Sequence, residues 1–334
     1  MIDVIDLFNA CLYIQDNLDA DLSLVFLART VGLSRFRFHR VFKAWRGETL
    51  HEFVTRMRME RAAFELSYPV PRSTRRSIKA IAFASGYKSL SSFSHAFSAY
   101  ARLSPRAFRN RALQVRPGGP PQEASVASLG RFPIAIKHEP AREIAVFDPV
   151  TRAGDALGPA GRAALRDSAS GSGDFYGVEL LPNLFVRSRG DRALSGRSMP
   201  MSCVGVDIAD WRPATNEDPR DAQSQAPRTT ITLEAGRYAV VEGHGSIASI
   251  YRAWRRGFDA WLAVAGEYPR SGRVHMRFNR PGEDGLDSRL SFALYIPLEE
   301  PVALDRARKG MRREKSRAER ELLVLNPSEP SAPA

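Results

Sequence analysis

Cysteine is nearly absent: Cys11 and Cys203 are the only two in 334 residues. Two thiols cannot make a disulfide framework, and neither has neighbours at metal-ligand spacing. Both stand in apolar surroundings and read as small core residues in a reducing compartment. No stretch is apolar for the roughly 18 residues that a membrane-spanning helix needs. No early run has the basic-then-apolar layout of a signal peptide. Also missing are a phosphate-binding Gly loop, a Gly-x-Ser-x-Gly phrase and a His/Cys/Asp/Glu cluster. These absences exclude the common catalytic constellations. They lead to the expectation of a soluble, cytoplasmic protein that is not an enzyme and needs no cofactor and no metal.

Basic residues, by contrast, are in excess. The formal net charge is +12, and residues 1–115 hold 18 Lys and Arg against 9 Asp and Glu. Most of the excess therefore lies in the first third of the chain, which suggests a polyanionic partner there. Hydrophobic content of 43% is sufficient for real cores, and the length leaves room for two domains.

The stretch 22–45, LSLVFLARTVGLSRFRFHRVFKAW, has two helical periods split by a breaker. Leu24, Leu27, Ala28 and Val31 repeat at i, i+3, i+4, i+7. Gly32 then suits a left-handed helix end, and Ser34 can cap a second helix. In that helix Phe38, Val41, Phe42 and Trp45 make an inner stripe. Phe36, His39, Arg40 and Lys43 make an outer one. One face packs while the other presents donors suited to a DNA major groove, as a helix-turn-helix requires. The pattern recurs at 77–100, SIKAIAFASGYKSLSSFSHAFSAY. Ile78, Ile81 and Ala82 lead to Gly86, and Ser89 can cap the next helix. Phe93, Ala96, Phe97 and Tyr100 face inward there.

These phrases resemble the two-part DNA-binding domain of the AraC/XylS regulators over residues 5–110. The similarity is carried by Leu33–Ala62 and by Ser85–Arg109, SGYKSLSSFSHAFSAYARLSPRAFR. It implies double-stranded promoter DNA as partner, a place near the nucleoid, and RNA polymerase as a further candidate partner. It puts DNA contacts on Arg35, Phe36, His39, Arg40 and Lys43, and on Leu90, Ser91, Ser94 and His95. Three positions depart from the family pattern. His95 stands where Arg is usual, Ser98 where Lys or Arg is usual, and Arg102 where Gly is frequent. The second helix therefore offers weaker phosphate contact than the first.

Around these units, residues 5–18 read as a first helix, with Leu7, Cys11, Leu12 and Ile14 inward. Residues Thr49–Leu66 read as a long helix joining the two units, with Arg56, Arg58 and Arg61 expected on a solvated face. Residues 113–130, with Pro117-Gly118-Gly119-Pro120-Pro121, are expected to be a linker. Strand signals then appear at 132–137, 144–147, 184–187, 201–208, 229–234, 237–242, 274–278 and 290–297. Helix signals fall at 153–168 and 247–265. The expected fold is an all-α double helix-turn-helix domain (1–112), then an α+β domain (131–300) with two strand-helix-strand-strand repeats. A charged tail (301–334) follows.

The second domain resembles the GyrI-like, or SHS2-repeat, effector-binding domain. Ala235-Gly236-Arg237-Tyr238, Gly243-His244-Gly245, Trp254, Trp261 and Ser291–Leu298 carry the likeness. It implies a small molecule held between the repeats. Tyr176, Tyr238, Trp254 and Tyr295 are the candidate ligand residues. Ala293 occupies a place where family members often carry an acid, so an apolar or neutral effector is expected. The alternative is a GyrI-like small-molecule hydrolase or sequestering binder attached to a DNA-binding domain. Ala293 and the attached DNA domain argue against it. His244 and His275 have no partner cluster and read as surface or satisfied histidines.

Overall fold

Serines start the short helices of both units, and glycines turn them. In the computed structural model, which describes residues 4–67, 75–114, 134–150, 175–179, 202–210, 229–245, 265–278 and 290–300, seven helices come first. They are α1 (Val4–Asp16), α2 (Leu24–Thr30), α3 (Arg35–Arg46), α4 (Leu50–Ser67), α5 (Ile78–Ala84), α6 (Leu90–Ala101) and α7 (Pro105–Gln114). Ser23, Ser34, Ser77 and Ser89 cap α2, α3, α5 and α6 through their side chains. Gly32 and Gly86 sit at φ 66° and 74°. In each turn an amide reaches back five residues: Leu33 N to Ala28 O at 2.8 Å, Tyr87 N to Ala82 O at 3.1 Å.

The helix α4 joins the units. Thr49 and Glu52 begin it with a capping box, Thr49 N to Glu52 Oε2 at 2.8 Å and Glu52 N to Thr49 Oγ1 at 3.2 Å. Its first half packs Leu50, Phe53, Val54 and Met57 against Phe38 and Phe42. Its second half packs Met59, Ala62, Ala63 and Leu66 against Phe93 and Phe97. The helix α7 runs to Gln114, two residues into the stretch read as linker; 115–130 lies outside the described residues.

The arginines of α4 are not on a solvated face, contrary to the sequence expectation. Arg56 binds Glu48 twice, at 3.1 and 2.7 Å, and Glu60 at 3.0 Å. Burial opposes its charge, but the two carboxylates outweigh burial and raise its pKa. Arg58 donates to Leu18 O at 2.9 Å and Ala20 O at 3.1 Å. Arg61 lies 3.8 Å from Glu65. Four- and eight-residue spacing to acids was visible in the sequence; the carbonyls that Arg58 reaches were not.

Among the described residues eight strands follow: β1 (Ile134–Glu139), β2 (Arg142–Val150), β3 (Phe175–Glu179), β4 (Ser202–Asp207), β5 (Thr229–Leu233), β6 (Gly236–Gly245), β7 (Val274–Phe278) and β8 (Leu290–Pro297). They form one antiparallel sheet in the order β1-β6-β8-β7-β3-β4-β2-β5. Replacing each strand by the one four later reads this order backwards, so the sheet is two like halves meeting at β7 and β3. Glu139 lies opposite Gly236, and Arg142 opposite Leu233. The register is thus continuous across two-residue bends at 140–141 and 234–235. The segments β1–β2 and β5–β6 thus pair side by side along their length and tie each half's outer strand to the other half. The strand expected at 184–187, the helix expected at 153–168 and all but the last residue of the helix expected at 247–265 lie outside the described residues.

Candidate nucleic-acid interface and aromatic cleft

The helices α3 and α6 have the same length, and their inner residues coincide: Phe38 with Phe93, Phe42 with Phe97. Those rings pack in a chain, Phe38 to Phe42 and Phe93 to Phe97, at 5.6 and 5.7 Å between centroids. Val41, Trp45, Ala96 and Tyr100 are only partly buried and support the two cores from their edges. With one face so fixed, the opposite face is turned to solvent. On α3 it presents Arg35, Phe36, Arg40 and Lys43 exposed and His39 half-buried. Phe36 is 68% exposed, and the Arg35 guanidinium lies 4.6 Å from its ring centroid. The guanidinium and the ring attract one another and present a cationic, apolar surface together. On α6 the equivalent face shows Leu90, Ser91 and His95 exposed and Ser94 half-buried.

Between the two units lies an open groove of about 1070 Å³. His39, Arg58, Gly86 and Lys88 line it. Arg58 also fills the space over Gly86, where a Cβ would lie 2.5 Å from Leu18 O and 2.6 Å from Arg58 Nη2. The loop after α1 and the turn before α6 are thus held against one guanidinium.

The second constellation is on the sheet. Tyr176 on β3, Tyr238 on β6 and Tyr295 on β8 line one cleft, as three of the four sequence candidates. Trp254 and Trp261 lie outside the described residues. At the centre is His275 on β7, 5% exposed. Its ring stacks on Tyr295 at 4.7 Å and 6°, and lies 5.4 Å from Tyr238 and 6.3 Å from Tyr176. Burial drives its pKa down to about 3, and the nearby Arg142 and Arg277 add to the effect. It is therefore neutral at physiological pH. Nδ1 approaches Arg273 O at 3.4 Å.

The sequence reading of His275 as a bland lone histidine missed its place among the tyrosines. Only strand pairing brings it to Tyr295, and the short phrase Val274–Phe278 does not reveal its neighbours. The carboxylates around the cleft have cationic partners. Arg142 lies 3.6 Å from Glu139 and bonds Asp207 at 3.0 Å; Arg270 pairs with Glu234. Ala293 sits between Glu242 on β6 and Arg277 on β7, and Glu242 pairs with Lys137. The free volume of the cleft is about 10 Å³, room for about one water.

Both cysteines are buried and free, and burial raises each thiol to about 12. Among the described residues no group of His, Cys, Asp and Glu is placed to hold a metal. Among them, too, no helix is long and apolar enough to cross a membrane.

Two capped recognition helices bridged by one long helix define a double helix-turn-helix domain. A helix-turn-helix domain family matches residues 27–111. The chain is 32% identical over 105 residues to the transposon Tn10 TetD protein of Escherichia coli, a match spanning 31% of this chain and 72% of that protein. It is 31% identical over 99 residues to the regulatory protein SoxS of Salmonella typhimurium, spanning 30% and 88%. A crystal structure of a transcriptional regulator with an AraC-type DNA-binding domain, from Chromobacterium violaceum, aligns at 27% identity and TM-score 0.30, over 34% of this chain and 96% of that one. The chain belongs to the AraC family of DNA-binding transcription regulators.

Proposed function

We propose that this regulator reads promoter DNA chiefly through α3 and senses a small molecule at the sheet. The observation that carries the first part is the unequal dressing of two equal helices. Arg35, Phe36, His39, Arg40 and Lys43 combine cationic groups with a bare ring, suited to phosphates, guanine edges and thymine methyls. Leu90, Ser91, Ser94 and His95 offer hydroxyls and one imidazole, which position without strong phosphate attraction. Two such helices on one bridge fit successive major-groove segments about 34 Å apart. Mapping the protected promoter segment tests this. Protection of two boxes about one turn apart, with the stronger base preference under one of them, is expected. A single box, or equal preference in both, contradicts it.

The sensing part takes the sheet as a GyrI-like effector-binding domain. Its support is the doubled strand order, together with three tyrosines converging on His275. The rings suit an apolar or neutral molecule. A cation would need an unpaired acid, and every carboxylate described at the cleft has a cationic neighbour. Titrating the full chain with neutral and cationic dyes checks the preference. Neutral dyes should bind more tightly, and Ala293→Glu should raise cation affinity. Cationic dyes winning on the wild type would refute it.

A further inference from the structure

The first helix belongs to two cores at once. Leu7, Cys11 and Ile14 lie on one face of α1, and the charges of Arg46 and Arg56 act on Cys11, so this face meets the first helix-turn-helix unit. Ile5 and Leu12 lie on the opposite face, and Asp16 continues their line. Asp16 accepts two bonds from Arg273 Nη2, at 2.6 and 2.8 Å. Arg273 directly precedes β7, and its other terminal nitrogen donates to Thr232 O at 3.2 Å. One continuous core joins α1 to Ile144, Val146, Tyr176, Val178, Cys203, Ile231 and Leu233 of the sheet.

Tyr176 and Leu233 link this core to the cleft, because both also line it. The cleft holds about one water, whereas pockets for small organic molecules have roughly 300–1,000 Å³. To admit such a molecule these walls must move, and α1 is packed on them. Arg273 makes a second connection, since its carbonyl meets His275 while its guanidinium holds Asp16. The contact has weak points suited to parting. The ion pair is partly solvated, with Asp16 55% exposed. Among the described residues Asn9 Oδ1 and Gln15 Oε1 on α1, and Arg273 Nε, are buried without a hydrogen-bond partner.

We propose that α1 docking and cleft opening exclude one another, so that a molecule entering the cleft releases the first helix-turn-helix unit from the sheet. This rests on the reading of the cleft as the small-molecule site. A ligand drives the change only by its preference for the open state.

The test uses the full chain, Asp16→Arg, and the double swap Asp16→Arg with Arg273→Asp. Nile red is the neutral probe, and hydrogen exchange is read in α1, β3 and β7. Asp16→Arg should bind the dye about fivefold more tightly, matching loss of about 1 kcal/mol of docking. It should also speed exchange in β3 and β7 together with α1, and the double swap should reverse both. Faster exchange in α1 with unchanged β3, β7 and dye affinity overturns the coupling and leaves the cleft reading standing. Coupled exchange with no dye bound by any variant overturns the cleft reading instead.

Discussion

Laid over one another, α3 and α6 share their two buried phenylalanine positions, differ at the third buried position, Arg46 against Ala101, and differ at most outward ones. Arg40 of the first corresponds to His95 of the second, His39 to Ser94, Lys43 to Ser98, Phe36 to Ser91. The scaffold is repeated because two identical problems, packing a short helix pair onto α4, have the same apolar answer. The outer faces are free of that demand, so their chemistry can be spent on recognition alone.

The sheet teaches the same lesson. The row Val146, Gly205, Tyr176 in one half matches the row Val240, Tyr295, His275 in the other. The backbones pair alike, but glycine stands where the other half has a stacked tyrosine. The small, apolar half carries α1. The half rich in tyrosine and histidine supplies Tyr238, His275 and Tyr295 to the cleft, and the other half Tyr176.

The largest break in the likeness of the two units is expected at their turns. Gly32 and Gly86 are both left-handed, but among the described residues a Cβ at Gly32 meets nothing within 4 Å, while one at Gly86 meets Leu18 O and Arg58. Gly32→Ala should cost about 1–2 kcal/mol of stability, and Gly86→Ala about 2–5 kcal/mol, by denaturant unfolding. Equal costs would mean that Arg58 does not clasp the second turn.

Acid should separate the two halves of the sheet. Folded His275 titrates at about 3 and the unfolded side chain at 6.5. Below pH 6.5 the unfolded chain takes the proton first, so stability falls as pH drops from 6.5 towards 3. The slope is at most about 1.4 kcal/mol per pH unit, and this contribution is flat above that window. His275→Phe keeps the ring and should remove this part of the slope. An unchanged slope would show that His275 is not held neutral.

A smaller difference lies at the helix ends. Gly47 closes α3 at φ 74°, but Arg102 closes α6 at φ 57°. Arg102→Gly should stabilise the domain by about 1 kcal/mol, since a side chain strains this conformation. No change in the unfolding midpoint would refute it.

Much of this was legible in the sequence. Helix period, capping serines and turn glycines are local, and they placed α2, α3, α5 and α6 to within a residue or two. Short apolar runs bounded by turn residues placed β7 and β8. What was not legible depends on contacts between distant segments. Arg58 finds two carbonyls some forty positions earlier. His275 finds Tyr295 only after β7 and β8 pair. The two-residue bend at Pro140-Ala141 looks like an ordinary hairpin, yet β1 and β2 join opposite ends of the sheet. No periodicity encodes that crossing.

The unequal roles of the two recognition helices are tested most directly by one binding experiment. Wild type, Arg40→Ala and His95→Ala are titrated, at one salt concentration, against the mapped site and its single-base variants. Arg40→Ala should lose about 1–3 kcal/mol and its preference at one position of one box. His95→Ala should lose less, and equally on every sequence. A larger or base-selective loss from His95→Ala, with a uniform loss from Arg40→Ala, would contradict the assignment of specificity to α3.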